Sequence, residues 1–352
     1  MEEGVTPRVA GATAVGSRWR EMGVPFLVLH GLEGYPDRLG RDLDALMDQS
    51  VADNALREAG EVLGGLGWQT VLPPDTWGKR LVALQAKGRG EFEYLEFHTM
   101  GSVQWVVLPL VEPSESASHT IGPFPVSYWA TFLKELIAPI LAGDTSRYTA
   151  EYFDRHVGSS IRIEAIESRC RDYFGKELGG ALLQGLEDRD PRRFLENRAP
   201  LRRLLIGRMA RHPMGSLRQT PAFLKKKAPR TSSGLHVVLE TPPTSEMEFV
   251  LESLVGKLAN VFVEIDVRNK ESDRRTASER NRLRARQSLA IDQPTNLALR
   301  ESGRIRASVS SFGKHPSLDI SLEGESLADV TGHVAEWIVS AWTAKMTEKR
   351  SV

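Results

Sequence analysis

Two aspartates stand two residues apart in the segment Gly40-Arg41-Asp42-Leu43-Asp44. On a β-strand, residues i and i+2 point to the same face. Two carboxylates held a few ångströms apart repel each other, so such a pair calls for a neutralising partner. A divalent cation fills that role. Mg²⁺ takes hard oxygen ligands, commonly one or two protein carboxylates, and keeps positions for water and phosphate oxygens. That is the electrostatic requirement of nucleotidyl transfer, in which metal ions bind the triphosphate, align the nucleophile and stabilise the departing pyrophosphate. An isolated Asp-x-Asp more often caps a turn or lies on a solvated strand face. Here Gly40 precedes the pair, an apolar strand lies just upstream and a capped helix follows, which favours chemistry.

A third carboxylate on a neighbouring strand completes such a site. Glu93 and Glu96 lie in Phe92-Glu-Tyr-Leu-Glu-Phe97 and point to opposite faces, so only one can join the pair. Glu96 is preferred, with Glu91 a weaker choice at the strand's start. The expected catalytic and metal-binding set is therefore Asp42, Asp44 and Glu96 around Mg²⁺ or Mn²⁺, with Glu96 also the candidate base. Gly31, Gly40 and Arg41 flank the pair, and Lys134 lies on an otherwise apolar helix; these are the expected contacts to a bound NTP. The competing reading of Lys134 is a stem that snorkels its ammonium to solvent. His30, which ends the upstream strand, is read as structural rather than as a base. His98 lies close to Glu96, without a spacing that argues for zinc. Ser102 lacks a Gly-x-Ser-x-Gly setting.

The elements that must position these residues follow from periodicity. Pro25-Phe-Leu-Val-Leu-His30 reads as a buried strand and Arg41–Met47 as a second. Asp48 and Ser50 offer N-caps for a helix running to about Leu66, ended by Gly67. Gln69–Leu72, Phe92–Phe97 and Gln104–Leu108 read as further strands. Residues 1–20 read as a loose arm or a short first helix. From Ser127 the period becomes helical, with Tyr128, Trp129, Phe132, Leu133, Leu136, Ile137, Ile140 and Leu141 on one face. More helices are expected at about 148–157, 161–174 and 194–210. A last unit opens with the strand Gly234–Glu240, continues with a helix at about 245–258 and the strand Asn260–Asp266, and ends with Leu318–Leu322 and a helix over Leu327–Met346. Strands alternating with helices predict a parallel, doubly wound sheet there. The expected class is α/β in three parts: a mixed-sheet domain at 1–126, a helical region and basic linker at 127–230, and an α/β domain at 231–352.

Bulk properties narrow the function. The chain has 352 residues, with 46 Lys+Arg balanced by 46 Asp+Glu, so the whole protein is no evident polyanion binder. The single cysteine, Cys170, excludes an intramolecular disulfide and a Cys-based metal site. The acidic start, Met1-Glu2-Glu3-Gly4, carries no apolar signal region, and no run reaches the ~18 apolar residues a membrane span needs, so the cytoplasm is expected. Residues 191–230 hold twelve Lys/Arg against one acid, Glu196. They read as a solvated linker first, and as a surface for anionic lipid second. Aromatic residues are scarce there, only Phe194 and Phe223, which weighs against single-stranded nucleic acid. A second Arg-rich stretch, 274–286, reads as a solvated helix, with an acidic protein partner as its alternative.

Several of these segments resemble the nucleotidyltransferase-like proteins of bacterial surface-polysaccharide gene clusters. The resemblance is carried by Phe26-Leu-Val-Leu-His-Gly-Leu-Glu-Gly-Tyr-Pro36, by Gly40–Asp44, by Gly67-Trp68, by Phe124-Pro125 ahead of the helix with Lys134, and by Leu141–Tyr148. It implies a nucleoside monophosphate passed from an NTP to a small or sugar-like acceptor, in polysaccharide biosynthesis. It also implies a thymidylate-kinase-like P-loop domain after the basic linker, beginning near Gly234-Leu-His-Val-Val-Leu-Glu240. The chain departs from that pattern twice. No Gly-Ser precedes the Asp pair, where such enzymes hold triphosphate oxygens. Thr241–Glu248 has no Gly-Lys, and Pro242 and Pro243 remove two N–H donors, so the C-terminal domain is expected to have lost ATP binding. A catalytically inactive binding or scaffold protein is the alternative reading.

Overall fold

The computed structural model describes residues 6–72, 79–105, 108–144, 148–157, 161–211, 235–240, 246–259, 261–262, 264–268, 288–292, 304–309, 318–321 and 326–348. The basic segment 212–230 and the Arg-rich stretch 274–286 lie outside these residues. The class is α/β, and the chain divides into two compact units. One comprises residues 1–63, 77–80 and 95–228; the other comprises 64–76, 81–94 and 229–352.

The first unit begins with a full helix where a loose arm was one expectation. α1 (Pro7–Glu21) is capped by Thr6, whose side chain accepts the Val9 N–H, and Pro7 stands in its first turn. Val9, Ala12, Val15 and Trp19 form its buried face. The Trp19 indole donates to the Ala55 carbonyl of α2 (Gln49–Gly65) at 2.7 Å and packs edge-on against Phe26 and Phe97. α2 starts where expected: Asp48 accepts the Ser50 N–H at 2.8 Å. Gly67, at φ +81°, closes it.

The strands run as β1 (Phe26–His30), β2 (Asp42–Met47), β3 (Gln69–Val71), β4 (Lys79–Gly88) and β5 (Glu91–Met100). A small hairpin, β6 (Val103–Trp105) and β7 (Leu108–Val111), stands where one strand was expected. β8 (His119–Ile121) and β9 (Phe124–Val126) follow. Seven of them form a mixed sheet in the order β3-β4-β5-β2-β1-β9-β8. β2 is central: β1 lies antiparallel on one side and β5 parallel on the other. The parallel register pairs Asp42 with Glu96 and Asp44 with His98. The antiparallel register is regular from Phe26↔Met47 to Val28↔Ala45, then slips by one so that His30 faces Asp44.

The predicted helix from Ser127 forms in three pieces: α3 (Tyr128–Phe132), a π-helical turn (Leu133–Ile137) and α4 (Ala138–Ala142). Pro139 explains the interruption. It has no N–H for the carbonyl four residues back, that of Glu135, and its ring crowds that oxygen. The carbonyl of the next residue, Leu136, accepts the Tyr148 hydroxyl. α5 (Ala150–His156), α6 (Ile163–Phe174), α7 (Lys176–Glu187), α8 (Pro191–Glu196) and α9 (Arg198–Arg211) complete the unit. Their apolar faces share one core with Leu27, Leu29, Leu46 and Met100 of the sheet, so residues from 127 to 211 are not a separate body. Several arginines of the basic stretch are engaged within the chain. Arg202 donates to the Leu141 carbonyl, Arg208 to the Tyr173 carbonyl, and Arg193 pairs with Asp188 at 2.8 Å.

In the second unit, β10 (Leu235–Glu240), β11 (Glu264–Arg268), β12 (Ser288–Asp292), β13 (Arg304–Val309) and β14 (Leu318–Ser321) form a sheet in the order β11-β12-β10-β13-β14. The first three named are mutually parallel, but β13 and β14 are antiparallel to their neighbours. The all-parallel expectation is corrected here. Eleven residues separate β12 from β13 and eight separate β13 from β14, fewer than the dozen or so that a crossover needs. α10 (Glu246–Leu258) and α11 (Leu327–Glu348) pack in a core with Val237, Leu239, Leu289 and Ile291, joined by Val71, Val82, Leu84 and Tyr94. β3, most of β4 and the start of β5 thus belong with this unit rather than with the N-terminal residues.

The segment between β1 and β2 closes on itself where Gly40 N–H donates to Gly31 O at 2.9 Å. Gly31 has φ +97°, and a Cβ there would sit 2.1 Å from the Asp42 carbonyl oxygen. Gly31→Ala is expected to lower stability by about 2 kcal/mol or more, from left-handed backbone and overlap together. Urea unfolding followed by circular dichroism measures it.

Candidate active site

The paired aspartates begin β2, and the face they share is set by strand alternation: Leu43 and Ala45 turn into the core, and Asp42 and Asp44 turn the other way. The parallel partner strand brings Glu96 and His98 to that same face. Glu93, three residues before Glu96 and so on the opposite face, is buried and pairs with Lys87. Glu91 is exposed, so Glu96 is the acid that joins the pair.

The three acids have unequal partners. Asp44 is buried and holds two contacts, Lys134 Nζ at 2.7 Å on Oδ2 and His98 Nδ1, donating, at 3.0 Å on Oδ1. Burial opposes its ionisation, but the ammonium of Lys134 and the His98 hydrogen bond outweigh it and hold the carboxyl well below its ordinary range. Glu96 accepts Arg80 Nε at 2.5 Å. The Asp42 side chain is 47% exposed and lies 4.0 Å from His30 Nε2. Its pKa is raised, first by burial of the group and then by Asp44 beside it.

Lys134 does not snorkel. It sits on the π turn with only 13% of its side chain exposed, between Asp44 and Glu135. Burial works against its charge, and the two carboxylates overcome that and raise its pKa. Glu135 is fully buried. Its carboxylate accepts Lys134 on Oε1 and the Tyr152 hydroxyl on Oε2. Burial would raise its pKa, yet Lys134, His30 and Tyr152 bring it to about 2.

Sequence reasoning missed four further groups. The bulge at the end of β1 turns His30 to the side of Asp44; regular alternation from Val28 would have sent it to the opposite face. His30 Nδ1 lies 3.4 Å from both Glu33 Oε1 and Glu135 Oε1. His156, the last residue of α5, is fully buried with Nδ1 3.7 Å from Glu33. Neither ring nitrogen of His156, nor Nδ1 of His30, makes a hydrogen bond. His30, Glu135 and His156 bring their ligand atoms within 4.8 Å of one another. Glu135 had one visible signal, a charged pair with Lys134 inside an apolar helix. Glu33 and His156 had none.

A cleft of about 310 Å³ opens beside Asp44, lined by Asp44, His98, Ser102, Gln104, Lys134 and Asp144 among others. Of the expected nucleotide contacts, Lys134 is in this lining. Gly31 and Gly40 face each other in the turn, where their lack of side chains serves chain packing. The Arg41 carbonyl accepts the Glu96 N–H at 3.2 Å and so ties β2 to β5.

No known protein family, curated protein or solved structure matches the chain. Among the described residues, no helix is long and apolar enough to cross a membrane.

Lys134→Met is expected to destabilise the protein by about 3–5 kcal/mol, because it leaves Asp44 and Glu135 buried without their shared cation. The double variant with Asp44→Asn should recover part of that loss. Guanidinium unfolding of the two variants against wild type tests the pairing.

Proposed function

We propose that the first unit is a nucleotidyltransferase-like module that binds a nucleoside triphosphate with Mg²⁺ or Mn²⁺ and transfers its nucleoside monophosphate to a small or sugar-like acceptor. The observation that carries this reading is the register match of Asp42 with Glu96, which sets Asp42, Asp44 and Glu96 on one face of the sheet, with Asp44 also lining a cleft. Asp42, half exposed and without a permanent cation against it, is the carboxylate best placed to take the metal. Asp44 lines the cleft from its ion pair with Lys134, and Glu96, paired with Arg80, is the third acid and the candidate base. Lys134 faces the cleft and would meet a phosphate oxygen. The second unit is read as a P-loop-kinase relative without ATP binding, since Thr241–Glu248 lacks the Gly-Lys that grips phosphates. The reading carries with it a cytoplasmic protein of polysaccharide biosynthesis.

One observation favours the alternative of an inactive binding or scaffold protein. Two of the three acids are already neutralised from within, Asp44 by Lys134 and His98 and Glu96 by Arg80. Calorimetry separates the readings. Each NTP is titrated with and without Mg²⁺ into wild type and into Asp42→Asn, the variant least disruptive to the ion pairs. Mg²⁺-dependent binding of one NTP, weakened about tenfold or more in Asp42→Asn, is expected of the enzyme. No binding of any NTP would leave the scaffold.

A further inference from the structure

The cluster of His30, Glu135 and His156 has no part in the reading above, and its chemistry is different from that of the aspartate pair. Its members come from three elements: the bulged end of β1, the π turn and the last residue of α5. Glu33, in the turn after β1, stands against two of them. Glu135 and His156 are fully buried, and the Glu33 side chain is 15% exposed.

Buried imidazoles ordinarily settle their nitrogens in hydrogen bonds. Here three ring nitrogens closed off from solvent make none, although carboxylate oxygens lie 3.4–3.7 Å from the two Nδ1 atoms among them. Those separations are too long for N–H···O bonds of ordinary strength. They match the edges of a coordination polyhedron. Ligand atoms about 2.0–2.1 Å from a tetrahedral Zn²⁺ lie about 3.3–3.4 Å from one another. The pairs His30–Glu33 and His30–Glu135 stand at 3.4 Å, and His156–Glu33 at 3.7 Å. One carboxylate and two imidazoles form a nitrogen–oxygen set suited to zinc and its neighbours rather than to Mg²⁺, which takes oxygen. Tyr152 donates to the outer oxygen of Glu135, the kind of support that fixes a ligand's orientation.

We propose that His30, Glu135 and His156 bind one divalent transition-metal ion, Zn²⁺ by preference, with Glu33 standing beside the two histidines. The ion ties the end of β1, the π turn and α5 together. Through Glu135 it also fixes the turn that carries Lys134 to Asp44.

The test uses the full-length chain, stripped with chelator and titrated with Zn²⁺ by calorimetry and with Co²⁺ by visible absorption. One Zn²⁺ per chain, the intense bands of four-coordinate Co²⁺ and a Zn²⁺-dependent rise in unfolding temperature are expected. His156→Gln should weaken Zn²⁺ binding by about 100-fold or more, while Asp42→Asn retains it. Should His156→Gln fail to fold, the stoichiometry and Co²⁺ spectrum of wild type decide alone. Absence of saturable Zn²⁺ binding to the stripped wild-type chain overturns the proposal. So does binding that survives in both His30→Gln and His156→Gln, or that disappears in Asp42→Asn but not in His156→Gln. Loss of NTP binding with Zn²⁺ binding intact would sink the nucleotidyltransferase reading and leave this one standing.

Discussion

Lys134 is the charge on which the site depends. Its ammonium is taken out of water between Asp44 and Glu135, a placement that is costly for all three groups separately and tolerable only for the three together. The consequence is a shared geometry. Asp44 belongs to β2 and Glu135 to the π turn, so the ion pair fixes the helical layer against the sheet at the point where the strand chemistry begins. The apolar core of Leu27, Leu29, Leu46, Phe132 and Leu136 supplies cohesion without choosing that alignment; the charged contact chooses it.

Two local irregularities make the arrangement possible. Adjacent residues of a regular α-helix point about 100° apart and do not face each other, yet Lys134 and Glu135 meet here. The π turn set by Pro139 changes that spacing, as such turns do at many functional sites. Likewise the bulge between Val28 and His30 moves a histidine from one sheet face to the other. Each costs regular backbone pairing, and each returns a side chain to the same few cubic ångströms of polar interior.

Those irregularities also explain what could and could not be read from residue order. The aspartate pair and Glu96 were legible because strand alternation is strict, and β2 and β5 obey it. α2 was legible from its cap and apolar face. His30 was read as structural at the end of its strand, and the one-residue slip in register that turns it to the side of Asp44 carries no sequence signal. His156 ends a seven-residue helix whose position relative to β1 is decided by long-range packing. The mixed C-terminal sheet was misjudged as parallel for a related reason. Strand patterns there are the same in either direction, and only the connection lengths, eleven and eight residues, distinguish them. β4 escaped notice altogether, its polar second half, Gln85–Gly88, hiding a strand whose first half is buried.

Charge balance gives the site its order of events. Five carboxylates, Glu33, Asp42, Asp44, Glu96 and Glu135, stand among two permanent cations, Lys134 and Arg80, and three histidines. With the imidazoles neutral, negative charge is in excess, and a low-dielectric interior does not leave such an excess unmet. Protonation of the histidines can meet it in part: against the effect of burial, the hydrogen bond and charge of Asp44 raise the pKa of His98. Under the two proposals, added cations would meet it elsewhere, and the geometry would divide the work between them. Glu33 and Glu135 are held among imidazoles and out of solvent, conditions for a tightly kept ion. Asp42 is half exposed and repelled by Asp44, conditions for one that comes and goes with a ligand. Asp44, fixed by Lys134, belongs to neither and holds the two halves in register.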